Sequence, residues 1–191
     1  MALRFISYTL LSLMPPALAA AADPSPFDGI PGIRFDSYDV EGTTAAAIYA
    51  SMHARGPRGD DGEAVARTTW RLRVGWQELH RGSDCQASNP LSSLTITVLL
   101  PRLKTRAEDV TPDGLAFWRR SLIGMQIHEA GHARIAYDHR DDFTRLASDM
   151  RCDRINALAE RVKADISALQ SDYDRTTRHG LSQVPAAASA P

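Results

Sequence analysis

His128 and His132 lie four residues apart, with Glu129 directly after the first, in the run Ile127-His128-Glu129-Ala130-Gly131-His132-Ala133. On an α-helix four residues advance the chain by about 6 Å and turn it about 40° past one full circle, so both imidazoles leave the same face. At that spacing two ring nitrogens can bind one zinc ion at about 2.0–2.1 Å each. Glu129 projects about 100° further round the helix, where its carboxylate can polarise a metal-bound water without being a ligand. This is the H-E-x-x-H arrangement of metallopeptidases. On an ordinary helix the same residues would be two solvated histidines, so the surrounding elements decide between the two readings.

A catalytic zinc usually takes three protein ligands and keeps one position for water, so a third ligand must come from elsewhere. Asp138 stands six residues after His132, but Ile135 occupies the place where a tight turn would need glycine. His139 is one residue out of that register, and Glu160 sits among Arg154, Arg161, Lys163 and Asp165, an ordinary solvated face. His179 closes the run Tyr173-Asp174-Arg175-Thr176-Thr177-Arg178-His179-Gly180. Only tertiary structure could bring it to the motif.

The motif belongs to a helix with a clear beginning. Thr111-Pro112-Asp113 supplies a capping hydroxyl, proline in the first turn and an acid near the positive helix end. Leu115, Trp118, Leu122 and Met125 then form one apolar stripe, and continuing in register carries the helix through His128 and His132. Gly131 lowers helix propensity by about 1 kcal/mol against alanine, and leaves room for another segment to approach. A second long helix is expected from Asp141 or Asp142, with Phe143, Leu146, Met150, Ile155, Leu158, Val162, Ile166, Leu169 and Tyr173 along one face. Packed antiparallel on the motif helix, it would return residues 174–180 to the histidines.

Upstream, Phe35 to Val40 alternates like a half-buried strand, and Thr43 or Thr44 can cap a short helix through Ile48 and Met52. Ala66 to Leu79 has Trp70, Leu72, Val74 and Trp76 at even positions, and Leu94 to Leu100 is a β-branched run ended by Pro101. With a polar turn region from His80 to Pro90 between them, these read as an antiparallel hairpin joined by the 35–40 strand. The fold class expected is α+β: a small antiparallel sheet followed by two long packed helices that carry the site.

The ends of the chain bear on its compartment. Arg4, the apolar run Phe5 to Met14 and Ala17-Leu18-Ala19 make residues 1–19 a secretory signal peptide. Its apolar run is too short to span a bilayer, which implies no stable membrane insertion after cleavage. Residues 20–32 read as a flexible lead-in, 33–181 as a single domain and 182–191 as a disordered tail. With 22 basic against 23 acidic residues, nothing in the charge suggests a nucleic-acid partner. The two cysteines, Cys85 and Cys152, are an even count in a chain bound for the periplasm or the exterior, and a disulfide between them is expected.

These residues together resemble the bacterial predicted secreted zinc-dependent proteases catalogued as domain of unknown function 922. The resemblance rests on His128-Glu129-x-x-His132, on Tyr-Asp-x-x-Thr-x-His-Gly at 173–180, and on Cys85 with Cys152. Thr69-x-Trp-x-Leu-x-Val and the strand ended by Pro101 add to it, so that it spans about Phe35 to Leu181. It implies Zn2+ as cofactor, His128, His132 and His179 as metal ligands, Glu129 as general base, and a protein or peptide substrate. Tyr173 would then steady a developing oxyanion and Asp174 would orient a ligating imidazole. Each also has a plain structural reading, Tyr173 as the last apolar contact of its helix and Asp174 as a helix-end cap. Two other functions share the motif: a non-catalytic, zinc-stabilised binding or adaptor module, and a zinc amidase acting on cell-wall material. An intact Glu129 favours an enzyme, since a structural site needs no base.

Overall fold

The computed structural model describes residues 24–59 and 62–186; the signal segment 1–19 and residues 187–191 lie outside them. The chain is α+β. A strand β1 (Ile33–Val40) leads into helix α1 (Ala45–Arg55), a two-stranded ribbon of β2 (Arg58–Gly59) and β3 (Gly62–Glu63), and two long strands, β4 (Arg67–Arg81) and β5 (Asp84–Leu103). Three helices follow: α2 (Pro112–Asp138), α3 (Asp142–Ala147) and α4 (Cys152–Thr177).

The main sheet has the order β1-β5-β4 and is mixed. β4 and β5 form the expected antiparallel hairpin, but β1 lies parallel to β5, from Ile33 opposite Ile96 to Val40 opposite Leu103. The wholly antiparallel sheet read from the sequence is corrected on this point. α1 and β4 stand between β1 and β5 in the chain, and a crossover that long lets a strand return parallel. The hairpin is also tighter than expected. Residues 80–90 belong to the strands, the turn falls between Arg81 and Asp84, and the Asn89-Pro90 signal marks a register shift opposite Trp76, with Asn89 at φ 48°. Pro101 does not end β5. It lies past Leu99, the last residue paired with β4, so its missing N–H removes no bond to that neighbour.

α2 starts where its residues require. Thr111 caps it by accepting from the Gly114 N–H at 3.2 Å, with Pro112 as first helical residue. Its small residues Ala130, Ala133 and Ala136 press on Ile96 and Val98 of the sheet, which sets the helix close against it. Phe27 and Ile30 are buried in that same cluster, so the stretch before β1 is packed in turns from at least Phe27 onward, unlike the loose lead-in expected. Arg134 fixes it by donating to the Asp28 carbonyl at 2.6 Å.

The last helical region is two helices, not one. Asp149 adopts φ 58°, and the chain straightens so that Arg151 bridges to Gln86 and the Ala87 N–H reaches the Met150 carbonyl at 2.6 Å. The apolar stripe runs on across the break, because Phe143, Ile155, Leu158, Val162 and Ile166 share one core with Leu72. Beside the break Cys85 and Cys152 are joined in a disulfide with Cα atoms 5.5 Å apart and a sequence separation of 67. In the chain-entropy model a loop of that length stabilises by about 4 kcal/mol. A Cys85→Ser/Cys152→Ser double variant should therefore lose about 2–5 kcal/mol in denaturant unfolding, and an unchanged midpoint would contradict it.

Candidate metal centre

α2 and α4 pack antiparallel: His132 meets Gln170 near the middle of the contact, and His128 meets Thr177 at the end of α4. On α4 the buried stripe Ile155, Ala159, Val162, Ile166 continues as Gln170, Tyr173, Asp174 and Thr177. The spacing is unchanged, but the stripe turns polar where it passes the histidines.

Both imidazoles are held by their Nδ1 atoms. Gln170 Nε2 donates to the His132 carbonyl at 3.0 Å, which turns its Oε1 toward His132 Nδ1. That ring nitrogen must carry the hydrogen, leaving the Nε2 lone pair free. Gln183 acts likewise on His128, its Oε1 lying 3.0 Å from Nδ1 while its Nε2 donates to the Tyr173 hydroxyl at 2.8 Å. The two free Nε2 atoms are 3.1 Å apart, and Asp174 Oδ1 sits 3.1 Å from one and 2.9 Å from the other. Three acceptors this close repel one another unless a cation or a proton lies among them. Two imidazole nitrogens and one carboxylate oxygen form a donor set suited to zinc.

His179 is not in this close group. Its Nδ1 is 3.8 Å from Asp174 Oδ1, and its side chain is 65 % exposed. Asp174, expected in a supporting role, occupies the nearest position because it is still on the regular helix. Beyond it Arg178, His179 and Gly180 take φ values of 52°, 51° and 82°, three left-handed residues in succession, which lead the chain out to the rim. Gly180 makes this turn without strain and lies against His128, where a Cβ would come within 3.0 Å of the ring. A 3-10 turn over Leu181–Gln183 then brings Gln183 back to the site. Asp138, His139 and Glu160 are not among the converging groups: His139 pairs with Asp142 at 2.7 Å and Glu160 with Lys163 at 2.8 Å.

Glu129 is buried, and its Oε2 has no hydrogen-bond partner among the described residues. Burial raises its pKa above the usual carboxylate value. Burial also lowers the pKa of His128, with the neighbouring His132 adding to the effect, and this favours the neutral imidazole a metal needs. Thr68 of β4 donates to the Glu129 backbone carbonyl at 3.0 Å, tying the motif to the sheet edge.

Tyr173 lies against both rings, stacked on His128 at 5.2 Å and edge-on to His132 at 5.0 Å. Its phenol fills the notch over Gly131, where a Cβ would overlap the ring and hydroxyl. Alanine favours a helix over glycine by about 1 kcal/mol, yet Gly131→Ala should destabilise the protein, since overpacking costs about 1–3 kcal/mol. In a Tyr173→Ala background the sign should invert and Gly131→Ala should stabilise. Thermal unfolding of the four proteins checks this; the same sign in both backgrounds would refute the contact.

Sequence reasoning gives His128, Glu129, His132 and Tyr173 roles in the site and none to Gln170, Thr177 or Gln183, Thr177 entering only as part of the 173–180 run. The first two were signalled by polar residues continuing an apolar stripe at unbroken spacing. Gln183 falls in the expected tail and carries no local signal. The centre opens on a cleft of about 930 Å³ between α1, β4, α2 and the C-terminal turn.

A family model described as a bacterial protein of unknown function, DUF922, matches residues 35–180. Comparison with curated proteins and with solved structures finds no match.

Proposed function

Because the chain belongs to that bacterial family, DUF922, whose description assigns no activity, we propose from its own residues that it is an exported zinc-dependent peptide hydrolase. The observation that carries the proposal is the meeting of His128 Nε2, His132 Nε2 and Asp174 Oδ1 within 3.1 Å of one another, beside the unpartnered carboxylate oxygen of Glu129. Those three atoms would hold the ion, with His179 the next group in reach. Zinc bound there supplies Lewis acidity, lowering the pKa of bound water to about 7 and polarising a carbonyl.

The protein's own groups do the rest. Glu129 takes a proton from the attacking water and passes it to the leaving amine. The Tyr173 oxygen already accepts from Gln183, which leaves its O–H to donate to the oxygen of the reacting carbonyl. Gln170 and Gln183 keep the ring hydrogens on Nδ1, an orienting role usual around ligating histidines. A zinc module that only stabilises the fold would have no use for a buried carboxylate with an oxygen left unpartnered, so Glu129 speaks against the adaptor reading. Export is supported by the 1–19 segment and the Cys85–Cys152 disulfide; among the described residues no helix is long and apolar enough to cross a membrane.

The test is metal analysis of the purified protein combined with digestion of a proteome-derived peptide library. One zinc per chain and chelator-sensitive cleavage are expected. A protein that purifies and reconstitutes without zinc would overturn the proposal.

A further inference from the structure

The cleft is divided chemically along its length. On α2 it follows Phe117, Ser121, Met125, Glu129 and His132, a span of about 22 Å at 1.5 Å per residue. Among the described residues its carboxylates, Glu129 and Asp174, stand at the metal end. The other end is walled by Phe117 and Met125 on α2 and by Tyr49 and Met52 on α1, with His53 against the Tyr49 ring. Tyr49 is 54 % exposed, so apolar ring surface faces the opening uncovered. A concave, mainly apolar wall with a few polar groups is the usual form of a site that orients a ligand.

We propose that this half of the cleft selects polypeptide substrates with a large apolar side chain, such as leucine, methionine or phenylalanine, within two residues of the cleaved bond on one side. The inference rests on the hydrolase reading above. Met125 lies one helical turn from Glu129, and an extended substrate advances about 3.3 Å per residue, which sets the two-residue limit. Arg67 also lines the cleft but donates to the Arg58 carbonyl, and His53 lies against the Tyr49 ring; a substrate side chain seated on Tyr49, Met52, Phe117 and Met125 themselves meets apolar surface, where a carboxylate would lose its hydration.

The experiment is cleavage of a proteome-derived peptide library by the zinc-loaded protein, read by mass spectrometry, beside a Ser121→Lys variant of equal zinc content. Ser121 touches none of the metal-centre residues through any hydrogen bond. The wild type should enrich large apolar residues over aspartate and glutamate at least about tenfold at one position. Ser121→Lys should reverse that preference toward acidic residues by a similar factor. Should Ser121→Lys not fold by circular dichroism, Tyr49→Lys at an exposed position serves in its place. Cleavage without apolar enrichment near the bond, or a profile that the lysine leaves unchanged, overturns the inference while the hydrolase reading stands. Absence of any cleavage by zinc-replete protein overturns the hydrolase reading, and this one with it.

Discussion

Glu129→Gln should keep zinc at one per chain and lower peptide hydrolysis by about 10²–10⁴-fold, the range general-base catalysis contributes. Glutamine is nearly isosteric, and the carboxylate it replaces has an oxygen with no partner to lose. The backbone link from Thr68 to the Glu129 carbonyl is untouched by the change. Stability should hold or rise slightly, because a buried carboxylate whose pKa is raised by burial gives way to a neutral amide. Metal content, unfolding midpoint and turnover on one validated peptide measure all three. Loss of zinc would make Glu129 a ligand, and unchanged turnover would remove it from the chemistry.

Asp174→Ala should weaken zinc binding by more than 100-fold, whereas His179→Ala should change it by less than tenfold. Removal of a direct ligand exceeds the 10–100-fold typical of groups that only orient ligands. Asp174 Oδ1 lies 2.9 and 3.1 Å from the two Nε2 atoms, while His179 reaches only Asp174, at 3.8 Å, from an exposed position. Competition against a chelator of known affinity, on variants shown to be folded, reads the difference directly. The reverse ranking would give His179 the third position and reduce Asp174 to a support. Comparable large losses from both would mean four protein ligands, the closed pattern of a structural site, and would favour the adaptor reading.

What could be read in advance follows the range of the interactions concerned. The caps Thr44 and Thr111 and the shared face of His128 and His132 depend on neighbours within a few residues, and each lies where its spacing places it. The α4 break was hidden because Phe143 and Ile155 belong to one core and keep a continuous apolar rhythm across it. Its cause, the pairing of Met150 and Arg151 with Gln86 and Ala87, lies more than sixty residues away. The parallel placement of β1 likewise depends on what α1 and β4 do between the two strands. The choice between Asp174 and His179 turns on the offset of two helices and on the left-handed residues at 178–180. Neither leaves a periodic trace in sequence.

The disulfide gives α4 a fixed root at Cys152, at the opposite end of the helix from Asp174. The intervening 22 residues make a rod of about 33 Å, so one degree of tilt at the root moves the Asp174 carboxylate by about 0.6 Å. That displacement already matches the tolerance of about 0.5 Å within which a working constellation must be held. Reduction of a bond that touches neither His128 nor His132 should therefore register as misalignment at the candidate metal centre, with the helix as lever.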